Sequence, residues 1–148
     1  MLPRIQYSIT APATPEELCA AFCDLRRLPG RGIYSEAAWT EGPPWQVGSR
    51  LRYVVVQPVA ATVAAVVNVF EPPFKIGLLN HSEGVTVQQM VTFTRQNDGT
   101  TRVNVVMDAV GDSTAAPPID VPEALGFFAK DALDSMLAWW RAGRHSRP

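Results

Sequence analysis

The stretch Val121 to Arg141, VPEALGFFAKDALDSMLAWWR, has the pattern of one long amphipathic helix, and the rest of the chain is interpreted around it. Asp120 stands at an N-cap position, Pro122 falls in the first turn, and Glu123 lies three residues after the cap, which together mark a helix start. Apolar residues then recur at spacings of three and four, which predicts one broad apolar face. That face comprises Leu125, Phe128, Ala132, Met136 and Trp139, with Ala129, Leu133 and Trp140 at its flanks.

The opposite side of this helix is polar. Lys130, Asp131 and Asp134 fall on it, and we expect these three charges to contact water. Gly143 then supplies the glycine that commonly ends a helix. The helix is therefore predicted over about 121–142, with 143–148 as a frayed, solvated tail.

The chain before this helix opens with a strand and a capped helix. Arg4 to Thr10 alternates between apolar and polar residues, which predicts a half-buried strand. Thr14 to Glu17 is a capping box with proline at the first helical position, so a helix should run from Pro15 to about Cys23. A second short helical turn, Asp24 to Leu28, is predicted before a segment rich in glycine.

From Glu36 onward the sequence predicts consecutive strands joined by short turns. The predicted strands are Glu36 to Glu41, Arg50 to Gln57, Ala60 to Phe70, Lys75 to His81, Val85 to Thr94 and Thr100 to Val110. No crossover helix separates them, so we expect an antiparallel sheet. In the long apolar strand, Thr62 and Asn68 favour an inner set of Val63, Ala65, Val67 and Val69.

The composition predicts one folded domain spanning 1–148. The chain has 148 residues, and its 47% apolar and 18% charged content is that of a globular rather than a disordered protein. The 13 basic and 14 acidic residues nearly cancel, which argues against a nucleic-acid partner.

Neither membrane insertion nor a cofactor is predicted. The longest apolar run, Val59 to Val69, is too short to cross a bilayer, and the N-terminus lacks the apolar region of a signal peptide, so we expect a cytoplasmic protein. Cys19 and Cys23 are the only cysteines, and no residue spacing fits a zinc site, so we interpret them as buried thiols. No glycine-rich phosphate loop is present, and the sequence predicts neither a cofactor nor a metal.

The order of one strand, two helices, six strands and a long helix resembles the helix-grip fold of the SRPBCC superfamily. The segments that carry the resemblance are Trp45 to Tyr53 (WQVGSRLRY), Phe70 to Lys75 (FEPPFK), and the hairpin with Phe93 and Gly99 to Val103. That superfamily includes START lipid-transfer domains, pollen-allergen-like proteins and polyketide cyclases. The resemblance covers essentially the whole chain and implies an α+β fold, in which a curved antiparallel sheet of about seven strands wraps around the C-terminal helix.

The resemblance also implies a cavity between the sheet and that helix. Carried over position by position, its lining would be Tyr53, Val55, Val67, Gln89, Val91, Phe93, Val105 and Met107 from the sheet, and Leu125, Phe128, Met136 and Trp139 from the helix. Trp39, Trp45 and the 111–120 loop would stand near its opening. The alternative interpretation is that the same side chains pack into a solid core.

Few residues in this implied lining could perform chemistry. None is ionisable near neutral pH, and its polar members, Tyr53 and Gln89, can orient a carbonyl or hydroxyl group of a ligand without being good bases. His81 is a candidate acid or base, because the inward face of its strand is left open by the pattern. Asp108 is expected on the outer face.

Three functions remain open at this point. A binding protein for a small hydrophobic or amphipathic ligand, lipid-like or polyketide-like, needs only apolar volume and one or two orienting polar groups. A cyclase-, aromatase- or dehydratase-like enzyme would use Tyr53 and His81 as its catalytic pair. An interaction module would instead combine a solid core with an exposed patch around Trp39 and Trp45. The sequence leaves open whether the protein is an enzyme, and it does not predict an oligomeric state.

Overall fold

The computed structural model describes residues 4–58, 60–82, 84–110 and 121–143. In chain order, the elements are β1 (Arg4–Ala11), α1 (Pro15–Cys23), β2 (Tyr34–Glu41), β3 (Arg50–Val55), β4 (Ala61–Glu71), β5 (Lys75–Ser82), β6 (Val85–Arg95), β7 (Thr101–Ala109) and α2 (Val121–Arg141). The second predicted helix is a single 3-10 turn, Leu25–Arg27. The predicted element order is confirmed.

The strands form one antiparallel sheet in the order β1-β7-β6-β5-β4-β3-β2. Each strand from β2 to β7 pairs with its neighbours in sequence, and β1 closes the order by pairing with β7. The sheet is curved, with the long helix α2 at the C-terminal end of the described elements. This architecture confirms the predicted α+β helix-grip fold.

The start of α1 follows directly from its sequence. The Thr14 hydroxyl accepts a hydrogen bond from the backbone N–H of Glu17 at 3.1 Å, and the Glu17 carboxylate accepts one from the backbone N–H of Thr14 at 3.4 Å. Two N–H groups that the helix leaves without partners are thereby satisfied, as in a capping box. The predicted N-cap of α2, Asp120, lies outside the described residues.

In β4, the side chains that face the core change from odd-numbered to even-numbered residues within the strand. Its pairing with β5 shifts register between Val67 and Val69. As a result Val67 remains buried, whereas Phe70 rather than Val69 packs against the core and stacks on Trp45, with ring centroids 5.9 Å apart. The prediction that Val69 faces inward is wrong, because a β-bulge adds one residue and reverses the side-chain alternation beyond it.

A close-packed core fills one end of the space between the sheet and the helices. Its members come from both helices and from strands β5 to β7, and each is at most 2% exposed. They include Leu18, Phe22, Ile76, Val91, Phe93, Val103, Val105, Ala129, Leu133 and Met136. Trp45 covers part of this end, and its indole N–H donates to the Cys23 carbonyl at 2.7 Å. This packing fixes the distance between α2 and the sheet.

The two cysteines are reduced, and Cys19 is buried while Cys23 is half-buried. The hydrogen bond between their side chains, followed by burial, raises the pKa of the Cys23 thiol, which therefore stays neutral. Within the described residues, no group of three or more His, Cys, Asp or Glu side chains could hold a metal ion. No helix in the same part of the chain is long and apolar enough to span a membrane.

Candidate functional site

A cavity of about 150 Å³ lies between the sheet and the N-terminal half of α2. The sheet contributes Tyr34, Tyr53, Val55, Ala61, Val63, Leu78, Asn80, Ser82, Val85, Val87, Gln89 and Met107. The remaining lining is Arg27, Leu28, Val121, Ala124, Leu125, Phe128, Asp131 and Ala132. A mostly apolar wall with a few polar groups is the usual composition of a small-molecule site.

Small side chains on the sheet leave this space open. Ala61 and Val63 lie beside Tyr53, and Ser82 pairs with Val85, so apart from this tyrosine these rows of the sheet present alanine, valine and serine where the core end presents phenylalanine and isoleucine. Because the packed core holds α2 at a fixed distance, the helix cannot move closer to fill the volume. The interior is therefore solid at one end and hollow at the other.

The predicted lining divides between these two ends. Six of its residues line the cavity: Tyr53, Val55, Gln89, Met107, Leu125 and Phe128. Five others are at most 2% exposed and lie outside the cavity lining, in the packed clusters: Val67, Val91, Phe93, Val105 and Met136. The 111–120 loop, expected near the opening, lies outside the described residues.

The two predicted tryptophans have structural contacts away from the cavity. Trp39 meets Trp45 edge-on, with ring centroids 5.1 Å apart. Trp139 donates its indole N–H to the Asp24 carboxylate at 3.0 Å. Both tryptophans named for an exposed interaction patch, Trp39 and Trp45, are half-buried and pack against the core.

The side-chain amide of Gln89 lies in the cavity wall without a hydrogen-bond partner in the described part of the chain. Its side chain is 9% exposed, and its carboxamide makes no hydrogen bond to any described residue. The neighbouring Asn80, in contrast, donates to the carbonyls of Leu78 and Val87 at 3.2 and 3.3 Å. A buried amide without a partner costs about 1–3 kcal/mol, so Gln89 is ready to bond to a ligand.

Three aromatic rings line one side of the cavity. The Tyr34 ring lies 5.8 Å from that of Tyr53 and 6.2 Å from that of Phe128, between ring centroids. Burial raises the pKa of both tyrosines, which therefore keep their protons at neutral pH. Neither hydroxyl bonds to a described residue, so each can donate a hydrogen bond to a ligand.

Arg27 is a buried cation in the same wall, and the sequence did not predict it there. It lies on the 3-10 turn and is 6% exposed. Its Nε donates to the Phe22 carbonyl at 2.8 Å, its Nη1 donates to the Ser135 hydroxyl, and its guanidinium lies 4.4 Å from the centroid of the Phe22 ring. Burial lowers the pKa of Arg27, but a guanidinium remains charged in proteins.

Asp131 also faces the cavity, and the prediction that it contacts water is wrong. Its side chain is 5% exposed and accepts a hydrogen bond from Arg31 Nε at 3.2 Å. The 3-10 turn and the loop after it cover this side of α2, through Arg27 on Ser135 and Arg31 on Asp131. One feature of the sequence could have indicated these contacts. Asp131 and Ser135 lie four residues apart and therefore on one helix face, and arginines stand before β2.

We expect the effect of Asp131→Asn on the free energy of unfolding to depend on pH. At higher pH the substitution should stabilise the protein more, or destabilise it less, than at lower pH. Burial raises the pKa of the Asp131 carboxyl, and Arg31 offsets that effect only in part. Because the folded-state pKa lies above the unfolded value, the wild-type protein loses stability as the pH rises from the unfolded value through the folded one. Asparagine does not ionise, so this loss is absent from the variant.

Urea unfolding of the two proteins at about pH 4 and about pH 7 measures this difference. The free energy of unfolding of the variant minus that of the wild type should be more positive at the higher pH. Asp134→Asn, at an exposed position of the same helix, is the matched control. A difference that is more positive at the lower pH would contradict the effect of burial.

His81 lies on the outer face of the sheet, away from the cavity. In β5 the inward series is Ile76, Leu78, Asn80 and Ser82, so His81 points outward, where its Nδ1 lies 3.0 Å from the Thr86 hydroxyl. The proposed pair of Tyr53 and His81 is separated by the sheet and cannot act on one ligand in the cavity. Asp108 lies on the outer face as expected, 3.5 Å from Arg4 Nε.

The curved sheet, the long helix and the cavity between them define a helix-grip protein. The chain is similar to Ara h 8.0201, with a TM-score of 0.76 and 12% identity over 96% of this chain and 99% of that one. It is also similar to TTHA0849 from Thermus thermophilus, with a TM-score of 0.75 and 14% identity over 95% of this chain and 99% of that one. A third structure, CalU16 from Micromonospora echinospora, has a TM-score of 0.66 and 15% identity over 97% of this chain and 81% of that one.

These similarities confirm the helix-grip fold that the resemblance implied. No protein-family model matches the sequence, and no curated protein matches it. At 12–15% identity the similar structures do not transfer a ligand, so the function is argued from the cavity.

Proposed function

We propose that the protein binds a small apolar or amphipathic molecule in the cavity between the sheet and α2. The observation that carries this proposal is a space of about 150 Å³ with a mostly apolar wall and the Gln89 amide, which has no hydrogen-bond partner among the described residues. An engineered apolar cavity of about this size in another protein accepts benzene. The buried part of the ligand is therefore about the size of one or two rings.

The ligand is held mainly by apolar contact. Phe128, Met107, Leu125 and Val55 supply that contact, and Gln89 orients a polar group of the ligand. The resemblance to lipid-transfer, pollen-allergen-like and cyclase proteins supports a lipid-like or polyketide-like compound. Burying one ring against such a wall contributes about 2 kcal/mol.

Phe128→Ala is expected to weaken binding of an aromatic probe, 2-naphthol, about 30-fold, because it removes roughly 2 kcal/mol of apolar contact. Phe74→Ala is the matched control. Phe74 is 56% exposed in the turn between β4 and β5 and does not line the cavity, so its loss should leave the affinity unchanged. Fluorescence titration of the purified variants gives both dissociation constants.

Native mass spectrometry of the freshly purified protein, compared with the denatured sample, tests the proposal without a chosen probe. A retained small molecule would identify the ligand class. The absence of a retained molecule, together with no thermal shift across lipids and aromatic polyketides, would contradict the proposal and favour an interaction module.

A cyclase-, aromatase- or dehydratase-like activity is the second candidate function, and Asp131 is the observation that favours it. A cavity carboxyl whose pKa burial has raised is a typical general acid or base, and here it shares the wall with Tyr53 and Arg27. Incubation with the identified ligand separates the two candidates. An enzyme changes the mass or absorption spectrum of the ligand, whereas a binding protein releases it unchanged.

A further inference from the structure

Arg27 is a buried cation of the cavity wall that hydrogen-bonds to no anion among the described residues. Within the described lining, the only side chains ionised near neutral pH are Arg27 and Asp131. The Asp131 carboxylate already accepts a hydrogen bond from a second cation, Arg31, whose side chain is 34% exposed. Asp131, which has Asp134 as a further acidic neighbour, is thus hydrogen-bonded to Arg31, and Arg27 interacts with it only through space.

Arg27 also has donors to spare. A guanidinium has five N–H donors, and Arg27 uses one on Nε for the Phe22 carbonyl and one on Nη1 for the Ser135 hydroxyl. Its Nη2 bonds to no described residue, although the side chain is 6% exposed. Buried charges are normally paired or fully hydrogen-bonded, so this arrangement is incomplete without a further acceptor.

Two neutral donors lie in the same wall. The Tyr34 and Tyr53 hydroxyls bond to no described residue and interact electrostatically with Arg27. Phe22 fixes the plane of the guanidinium by lying against it, and Ser135 fixes its far end. The site thus offers preorganised donors, and within the described lining the one carboxylate, that of Asp131, already accepts from Arg31.

We propose that the ligand carries one carboxylate, which pairs with Arg27 inside the cavity while its apolar body contacts Phe128 and Met107. This inference rests on the proposed binding function and adds the chemistry of the ligand's polar end. A carboxylate would supply the hydrogen-bonded anion that Arg27 lacks among the described residues, and its planar pair of oxygens matches a guanidinium. A phosphate monoester would bring up to two negative charges to this single guanidinium.

Two probes of equal shape test the inference, 3-phenylpropionate and its uncharged analogue 3-phenylpropionamide. Calorimetric titration of the wild-type protein should give at least a tenfold lower dissociation constant for the carboxylate, because charge-assisted hydrogen bonds are about twice as strong as neutral ones. Arg27→Gln should abolish this preference. Arg26→Gln is the matched control, since Arg26 is the adjacent arginine, is 61% exposed and pairs with Asp24 outside the cavity.

Each outcome has a separate meaning. Equal affinity of the wild-type protein for the two probes would overturn the inference and leave the proposed binding function intact. A preference that survives in Arg27→Gln would overturn the role of Arg27. Binding of neither probe, with no retained ligand in native mass spectrometry, would overturn the binding function and the inference together.

A measurement on the wild-type protein covers the case in which Arg27→Gln does not fold. Buried guanidinium protons exchange slowly with water, so the Arg27 side chain should give an observable ¹⁵N–¹H signal. The carboxylate probe should shift that signal, and the amide probe should shift it less. A signal that neither probe moves would contradict the pairing.

Discussion

Phe22→Ala is expected to lower the free energy of unfolding by about 4 kcal/mol, which is the range for removing a fully buried phenylalanine. Phe22 is 1% exposed and lies where α1, the sheet and the 3-10 turn meet. Its ring centroid lies 6.3 Å from that of Phe93 and 6.3 Å from that of Trp45. The substitution therefore leaves a void between three elements rather than at the edge of one.

The same substitution should also disturb the site, because the Phe22 ring supports the Arg27 guanidinium at 4.4 Å. Urea unfolding gives the stability change, with Phe74→Ala as the matched control. Phe74 is 56% exposed in the turn between β4 and β5, and its loss should change the stability by less than about 0.5 kcal/mol. A loss below about 2 kcal/mol for Phe22→Ala would mean that this end of the interior is not close-packed.

The elements that the sequence predicted well are those whose signals are local. The capping box at Thr14 and the spacing of apolar residues over Val121–Arg141 set helix starts and faces within a few residues. Strand alternation likewise gave β7, where Val103, Val105 and Met107 are all buried. The family resemblance, rather than any local pattern, predicted that the sheet wraps around the helix.

The cations and the carboxylate of the site were missed because their contacts join distant parts of the chain. Helical periodicity predicted that Asp131 lies on the polar side of α2, but it does not show what covers that side of the helix. The cover is the turn bearing Arg27, whose hydrogen bond to Ser135 spans 108 residues. No local pattern contains that information.

Local sequence patterns also could not predict which part of the interior is packed and which part is a cavity. The alternation of β6 correctly predicted that Phe93 and Gln89 both face inward. Phe93, however, packs in the solid core, whereas Gln89 lines the cavity. Whether a region is filled depends on the summed volumes of side chains from several strands and a helix. The bulge in β4 shows the same limit on a smaller scale, because it reverses parity between Val67 and Phe70.

Val87→Phe is expected to weaken binding of 2-naphthol at least 100-fold, which corresponds to about 2.7 kcal/mol. Val87 is half-buried on β6 and lines the cavity, so a phenyl ring at this position enters the space that the ligand needs. Filling an empty apolar space adds contact within the protein, and the free energy of unfolding should stay constant or rise by about 1 kcal/mol. The affinity for the probe therefore falls while the free energy of unfolding does not.

A loss of affinity without a loss of stability distinguishes a cavity from a solid interior. In a close-packed core the added ring would have no room, and overpacking would lower the stability by about 1–3 kcal/mol. Val106→Phe is the matched control, because Val106 lies on the outer face of β7, between the buried Val105 and Met107, and gains the same ring without reaching the cavity. Fluorescence titration and urea unfolding of the three proteins give both quantities. A Val87→Phe variant that loses stability and still binds the probe like the wild type would show that the ligand lies elsewhere and that this part of the sheet is already filled.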